Sequence, residues 1–140
     1  MKIKLFNIVF LTVLTFSLAS CAQSTKEAKV TASTAAQVKE LISPTDLNSK
    51  LGDIQLVDVR TPGEYTSGYI KGAININSGS STFIADMSKL DKDKAIYIYC
   101  RSGSRSGRAA SKLQKAGFTK IYDLQGGIMN WNRSNLETVK

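Results

Sequence analysis

Short apolar segments alternate with helix-start signals from residue 38 onwards, and this alternation constrains the fold more than any other feature of the sequence. Residues 54–58 (IQLVD), 73–76 (AINI), 95–99 (AIYIY) and 120–124 (KIYDL) are short runs rich in β-branched and aromatic residues and bounded by polar ones. Strands that alternate with helices favour a parallel sheet whose two faces are both covered. The predicted fold class is therefore α/β: a small parallel β-sheet flanked by helices on both faces.

Two short helices share one kind of start signal. Ser43-Pro44-Thr45-Asp46 and Thr61-Pro62-Gly63-Glu64 each combine a hydroxyl N-cap, a proline at the first helical position and an acid at the third. The first of these helices is predicted to end near Lys50. Three further helices are predicted: one with Phe83, Met87 and Leu90 on one face, one over residues 104–116 that Gly117 ends, and a last one that follows Gly126-Gly127 and carries Ile128 and Trp131.

The N-terminal part of the chain has the pattern of an export signal. Residues 1–20 contain Lys2 and Lys4, then an apolar run over residues 8–18, then small residues, as signal peptides do. The run is short and interrupted by polar residues, whereas a membrane-spanning helix needs ~20 apolar residues. We therefore predict a signal peptide, with a retained membrane anchor as the alternative.

The segment Leu18-Ala19-Ser20-Cys21 resembles the lipobox of bacterial lipoproteins. This resemblance implies that Cys21 carries lipid and holds the protein on the extracytoplasmic side of a bacterial membrane, at the periplasmic face or the cell surface. A chance cysteine beside a signal peptide is the alternative. Residues 21–37 are small and polar without hydrophobic periodicity, which predicts a flexible tether, or otherwise a loosely docked arm. The predicted organisation is a signal peptide (1–20), a lipidated tether (21–37) and one globular domain (38–140).

Composition narrows the range of partners. The chain has a net charge of +8, which suits small anionic substrates or an anionic membrane surface. The basic residues are scattered and not interleaved with aromatic ones, which disfavours nucleic acid as a partner. No metal or organic cofactor is implied, because the chain has no histidine and no cluster of cysteines. The oligomeric state expected by default is a monomer.

Cys100 begins the stretch CRSGSRSGRAASKL, between a predicted strand and a predicted helix. In an open α/β sheet, ligands bind at the carboxyl ends of the strands. Gly103 and Gly107 permit tight curvature, so that backbone N–H groups can point inwards as an anion nest. Arg101 and Arg105 add positive charge, and Ser102 and Ser104 add hydroxyl donors, all of which favour the thiolate of Cys100. A buried cysteine that acts as a small apolar residue is the alternative, but it would have apolar neighbours.

Three segments in order resemble the single-domain rhodaneses, a sulfurtransferase family: residues 56–77 (LVDVRTPGEYTSGYIKGAININ), 99–113 (YCRSGSRSGRAASKL) and 121–131 (IYDLQGGIMNW). The resemblance implies that Cys100 is the catalytic cysteine. It also implies that Arg101, Ser102, Gly103, Ser104 and Arg105 cradle the substrate. Asp58, Arg60 and Glu64 match the first motif, and we expect them to form a charged network that supports the loop. The sequence departs from the family at Tyr69 and Lys71, where many members have His and Pro.

The resemblance implies a double displacement in which the Cys100 thiolate takes the sulfane sulfur of an anionic donor such as thiosulfate and passes it to cyanide or a thiol. A noncatalytic binding module, or a sensor of oxidants or polysulfides, is the alternative. Four residues separate Cys100 from Arg105, whereas a related phosphatase group has five, so phosphatase or arsenate reductase activity is disfavoured. Cysteine-protease chemistry is excluded in its usual form because the chain has no histidine.

Overall fold

The structure, a computed structural model, describes residues 38–140, and the predicted signal peptide, Cys21 and the predicted tether lie outside the described residues. Strands and helices alternate throughout this range, as the sequence predicted. In chain order the elements are β1 (Val38–Ile42), α1 (Pro44–Asn48), β2 (Gln55–Asp58), α2 (Pro62–Thr66), β3 (Ile74–Asn75), α3 (Phe83–Met87), β4 (Ile96–Tyr99), α4 (Ser104–Lys115), β5 (Lys120–Leu124) and α5 (Gly127–Arg133).

The strands form one parallel sheet in the order β1-β5-β4-β2-β3. The central strand, β4, pairs with β2 on one side and with β5 on the other. Cys100 directly follows β4, so it lies at the carboxyl edge of the sheet and near its middle. The predicted α/β fold class is confirmed.

The sheet is buried on both faces, which explains why its central strand has no polar side. Ile96 and Ile98 of β4 pack on one face with α3 and α4, and Tyr97 and Tyr99 pack on the other with α1 and α5. All four side chains are buried. Continuous apolar runs are expected for parallel strands covered from both sides.

The two predicted caps start α1 and α2. The hydroxyl of Ser43 accepts a hydrogen bond from the backbone N–H of Asp46 at 3.1 Å. At α2, Thr61 and Glu64 bond reciprocally: the Thr61 hydroxyl accepts from the Glu64 N–H at 3.4 Å, and the Thr61 N–H donates to the Glu64 carboxylate at 3.1 Å. This capping box fixes the position of the Glu64 side chain, which matters for the site.

Some elements differ from the prediction. Strand β1 was not predicted, because Lys39 and Glu40 interrupt its apolar pattern and Leu41 is 68% exposed at the sheet edge. Helix α3 ends at Met87, so Leu90 lies beyond it, although Leu90 still packs against the core. Within residues 38–140, no helix is long and apolar enough to span a membrane.

Candidate functional site

A tight turn carries Cys100 from the end of β4 into α4. Gly103 is the N-cap of α4 and has φ +96°, a left-handed conformation that glycine adopts without the steric cost other residues incur. Helix α4 already begins at Ser104, so Gly107 lies inside the helix and does not shape the turn. The prediction that both glycines curve the loop was therefore wrong for Gly107.

The sulfur of Cys100 is enclosed by hydrogen-bond donors. Cys100 is only 1% exposed, and its Sγ accepts from the Gly103 N–H at 3.2 Å and from the Ser106 hydroxyl at 3.5 Å. Burial acts to raise the pKa of the Cys100 thiol, but it is outweighed by the Ser106 hydroxyl and by the N–H groups of Ser106, Ser102 and Gly103. The pKa of Cys100 therefore lies below its ordinary value, which favours the nucleophilic thiolate.

Arg105 is held by a carboxylate. Its guanidinium donates two hydrogen bonds to Glu64, at 2.7 and 2.6 Å, in a bidentate pair. Hydrogen bonds from Arg105 and from the Thr61 backbone and hydroxyl outweigh burial and lower the pKa of Glu64 to about 2. The pKa of Arg105 is raised, mainly by Glu64, and the negative charge of Cys100 adds to this rise. Glu64 thus fixes the guanidinium beside the sulfur.

Within residues 38–140, the side chains of the other predicted loop residues form no hydrogen bond to the sulfur. Arg101 is exposed, and its side chain forms no ion pair within residues 38–140. Ser104 is also exposed, and its hydroxyl accepts from the Arg108 guanidinium at 3.1 Å. Ser102 contributes its backbone N–H to the sulfur. The sequence predicted backbone N–H groups, both arginines and the hydroxyls of Ser102 and Ser104 as the groups that stabilise the thiolate. In the structure, the groups that lower the pKa of Cys100 are backbone N–H groups and the Ser106 hydroxyl.

Asp58 and Arg60 form a separate buried pair beside the strand that leads to Cys100. Arg60 Nε donates to both carboxylate oxygens of Asp58, at 2.9 and 2.8 Å, and Asp58 lies in register with Tyr99. Arg60 Nη2 also donates to the Gly68 carbonyl at 2.7 Å. The three residues of the first motif are thus divided between two ion pairs: Glu64 supports Arg105 directly, and the Asp58–Arg60 pair supports the neighbouring turn.

The first residues of α5 hold the Cys100 loop in place through backbone hydrogen bonds. The N–H groups of Ile128 and Met129 donate to the carbonyls of Cys100 and Arg101, at 2.9 and 3.1 Å. A Cβ atom at Gly127 would lie 2.7 Å from the Arg101 carbonyl and closer still to that of Cys100. Gly127 also has φ +59°, so both the contact and the backbone conformation require glycine.

Two buried polar residues near the sulfur were not predicted. Ser106 is fully buried, and Asp123 of β5 is 3% exposed, on the face of the sheet that α4 covers. Oδ1 of Asp123 has no hydrogen-bond partner. Burial raises the pKa of Asp123, while the Ser106 hydroxyl and the charge of Lys39 act in the opposite direction. Both residues could have been recognised in the sequence, because each is polar at a position where the pattern of its helix or strand calls for an apolar residue.

The part of the chain that carries this site is similar to known proteins. The family model described as a rhodanese-like domain matches residues 43–134, which include Cys100 and every strand except β1. The chain is 46% identical over 77 residues to the uncharacterized protein YqhL of Bacillus subtilis, a match that spans 55% of this chain and 60% of YqhL. It is 31% identical over 98 residues to the thiosulfate sulfurtransferase GlpE of Shewanella oneidensis, over 70% of this chain and 91% of GlpE. The crystal structure of a rhodanese-related protein from Thermoplasma volcanium superposes with a TM-score of 0.64 and 31% identity, over 71% of this chain and 97% of that one.

Proposed function

The chain belongs to the rhodanese-like domain family, and on this premise we propose that it is a sulfurtransferase that works through a persulfide on Cys100. The proposed donor is thiosulfate or a similar anion, and the proposed acceptor is a thiol or cyanide. The observation that supports this best is the ring of N–H and hydroxyl donors around Cys100 Sγ. Such a ring stabilises a negative sulfur, whether it is the thiolate or the outer sulfur of a persulfide.

In the first step, the Cys100 thiolate attacks the outer sulfur of thiosulfate. A sulfur–sulfur bond forms to Cys100 while the bond to the sulfonate group breaks, and sulfite leaves with the electron pair. Cys100 is 1% exposed, which favours a donor with a slim terminal atom such as a sulfane sulfur. The charge of Arg105 lies beside the reaction and favours an anionic donor.

In the second step, the acceptor attacks the outer sulfur of the persulfide. The new bond carries this sulfur away as thiocyanate or as an acceptor persulfide, and the electron pair of the broken bond returns to Cys100 as thiolate. No proton is gained or lost by the protein over the cycle. The donors that face Cys100 Sγ stabilise the thiolate that the first step consumes and the second step restores.

The test is sulfur transfer by the wild-type protein and by Cys100→Ser, which keeps the size of the side chain and removes the nucleophile. We expect turnover of thiosulfate with cyanide or a thiol, and a +32 Da adduct on the Cys100 peptide of the wild type, which corresponds to one sulfur atom. The serine variant should show neither. Turnover by the serine variant would contradict the proposal. Stoichiometric oxidation of Cys100 without turnover would favour a sensor instead.

We further propose that the protein is exported and attached to a membrane through lipid on Cys21. The support comes from the apolar run at residues 8–18 and from the segment Leu18-Ala19-Ser20-Cys21. Two acyl chains on one cysteine would anchor the protein stably. Mass spectrometry of the native protein from the membrane fraction should find Cys21 as the first residue, with lipid attached. An intact N-terminal segment without lipid would contradict this proposal.

A further inference from the structure

A cavity of about 330 Å³ lies next to the Cys100 loop, between α4 and the segment 77–79 that follows β3. Its walls include Asn77 and Ser78 on one side and Arg105, Arg108 and Lys112 on the other. The segment after β3 and the start of α4 both lie at the carboxyl edge of the sheet, where ligands of open α/β folds bind. The volume is at the lower end of the range for small-molecule sites, roughly 300–1,000 Å³.

The lining of this cavity is basic and includes no carboxylate side chain. Arg105, Arg108 and Lys112 lie three and four residues apart, which places them along one face of α4. Arg105 is already paired with Glu64, but neither Arg108 nor Lys112 has a carboxylate partner within residues 38–140. Arg108 donates to the Ser104 hydroxyl, and the Lys112 ammonium lies 6.0 Å from the centre of the Phe83 ring. Two cations thus face the cavity with their charges uncompensated.

Arg105 connects the cavity to the reactive sulfur. Arg105 lines it and also interacts with the charge of Cys100. Ala109 lines it as well, and packs in the same buried cluster as Cys100. From Arg105, Lys112 is seven residues further along the helix, a rise of roughly 10 Å. A ligand that reaches both the sulfur and the far cation must therefore be longer than thiosulfate.

We propose that this cavity binds a small thiol acceptor with carboxylate groups distant from its sulfur, and that Arg108 and Lys112 bind those carboxylates. The inference rests on the proposed sulfurtransferase function and names its acceptor class. The acceptor thiolate attacks the outer sulfur of the Cys100 persulfide, the bond between the two persulfide sulfurs breaks, and the electron pair returns to Cys100. The acceptor leaves as its own persulfide anion. The donor, which is short, binds at the loop and does not depend on Arg108 or Lys112.

The experiment loads Cys100 with thiosulfate, removes the donor, and measures how fast two thiols discharge the persulfide. Glutathione is the carboxylate-bearing probe, and cysteamine is a thiol without carboxylates. In Arg108→Gln/Lys112→Gln we expect the rate with glutathione to fall about tenfold, because two solvent-exposed ion pairs are lost. The rate with cysteamine should not fall. The control Lys115→Gln/Lys120→Gln removes the same charge from exposed residues outside the cavity and should leave both rates unchanged.

Two results would overturn the site. If Lys115→Gln/Lys120→Gln lowers the rate of discharge by glutathione as much as Arg108→Gln/Lys112→Gln does, the effect comes from the net charge of the protein and not from a binding site. If the cavity pair slows both thiols equally, the carboxylates are not what Arg108 and Lys112 bind.

A second measurement separates this inference from the proposed function. S-methylglutathione has no thiol to react, so its binding to the full chain, followed by NMR titration, does not require sulfur transfer. Binding that weakens in Arg108→Gln/Lys112→Gln and persists in the control pair supports the site even if no persulfide forms in the wild type. Absence of binding to the wild type overturns the site even if persulfide transfer is observed.

Discussion

Replacing Gly127 with alanine should weaken the domain and disturb the Cys100 loop at the same time. The new Cβ would lie 2.7 Å from the Arg101 carbonyl, where no atom fits, and closer still to the carbonyl of Cys100. The loop and the start of α5 must therefore separate. That separation breaks the two hydrogen bonds from the N–H groups of Ile128 and Met129.

The expected loss in the free energy of unfolding can be assembled from these contacts. An alanine held at φ +59° costs ~1–2 kcal/mol in backbone strain. Each of the two hydrogen bonds contributes about 1 kcal/mol. The total is about 3–4 kcal/mol, a large part of the 5–15 kcal/mol typical of a small domain. Because the displaced carbonyls belong to the loop, its N–H groups should also turn away from the sulfur, and the pKa of Cys100 should rise.

Gly117→Ala is the matched control for this variant. Gly117 ends α4 with φ +94°, and a Cβ atom there would meet nothing within 4 Å. It should therefore lose only the strain, ~1–2 kcal/mol, and leave the pKa of Cys100 unchanged. Urea unfolding can be followed through Trp131, which is the only tryptophan of the chain and is buried. The pKa of Cys100 can be followed by the pH dependence of iodoacetamide alkylation, measured on the Cys100 peptide.

Equal losses of stability in Gly127→Ala and Gly117→Ala would refute this reasoning. So would a pKa of Cys100 unchanged from the wild type in a Gly127→Ala protein that has lost the full ~3–4 kcal/mol, because loop and helix would then not be coupled. A Gly127→Ala protein that does not fold, beside a Gly117→Ala protein that does, would agree with the expected ranking.

Three further substitutions test the polar groups around the sulfur. Ser106→Ala should raise the pKa of Cys100, because a hydroxyl donor is lost while the burial remains; an unshifted alkylation midpoint would contradict this. Glu64→Gln should lower stability at neutral pH by about 1 kcal/mol. It should also remove the contribution of Glu64 to the loss of stability as pH falls from 4.5 to about 2, so urea unfolding across that window should show a smaller loss than in the wild type. Asp123→Asn should raise stability at neutral pH by about 1 kcal/mol. The pKa of Asp123 is raised in the folded state, so ionisation of Asp123 lowers stability as pH rises above 3.8, and the gain in stability of the asparagine variant over the wild type should therefore grow above that pH.

Local rules predicted the parts of this fold that depend on neighbours in sequence. The Ser43 and Thr61 caps, the position of Cys100 after β4 and the end of α4 at Gly117 all follow from signals a few residues long. Strand β1 was missed because an edge strand buries little, so its sequence shows no apolar pattern.

The parts of the site that were not predicted depend on contacts between distant segments. Glu64 was expected to support the loop, but its partner was not predicted. Glu64 and Arg105 lie 41 residues apart in the chain, and no local pattern shows that the cap residue of α2 holds an arginine of α4. The contact of Gly127 with the Cys100 loop is also visible only in three dimensions. The positive charges of CRSGSR were visible in the sequence, but which donors face the sulfur depends on the backbone path.

The last residues of the described chain form backbone hydrogen bonds with the turn that the Asp58–Arg60 pair supports. Tyr69 and Val139 exchange backbone hydrogen bonds, both of 2.9 Å, in an isolated antiparallel bridge. Each of these two amides is protected only while the other segment is in place. In a deuterium-labelling experiment they should therefore become labelled at one common rate, set by a single opening event, although 70 positions separate them along the chain.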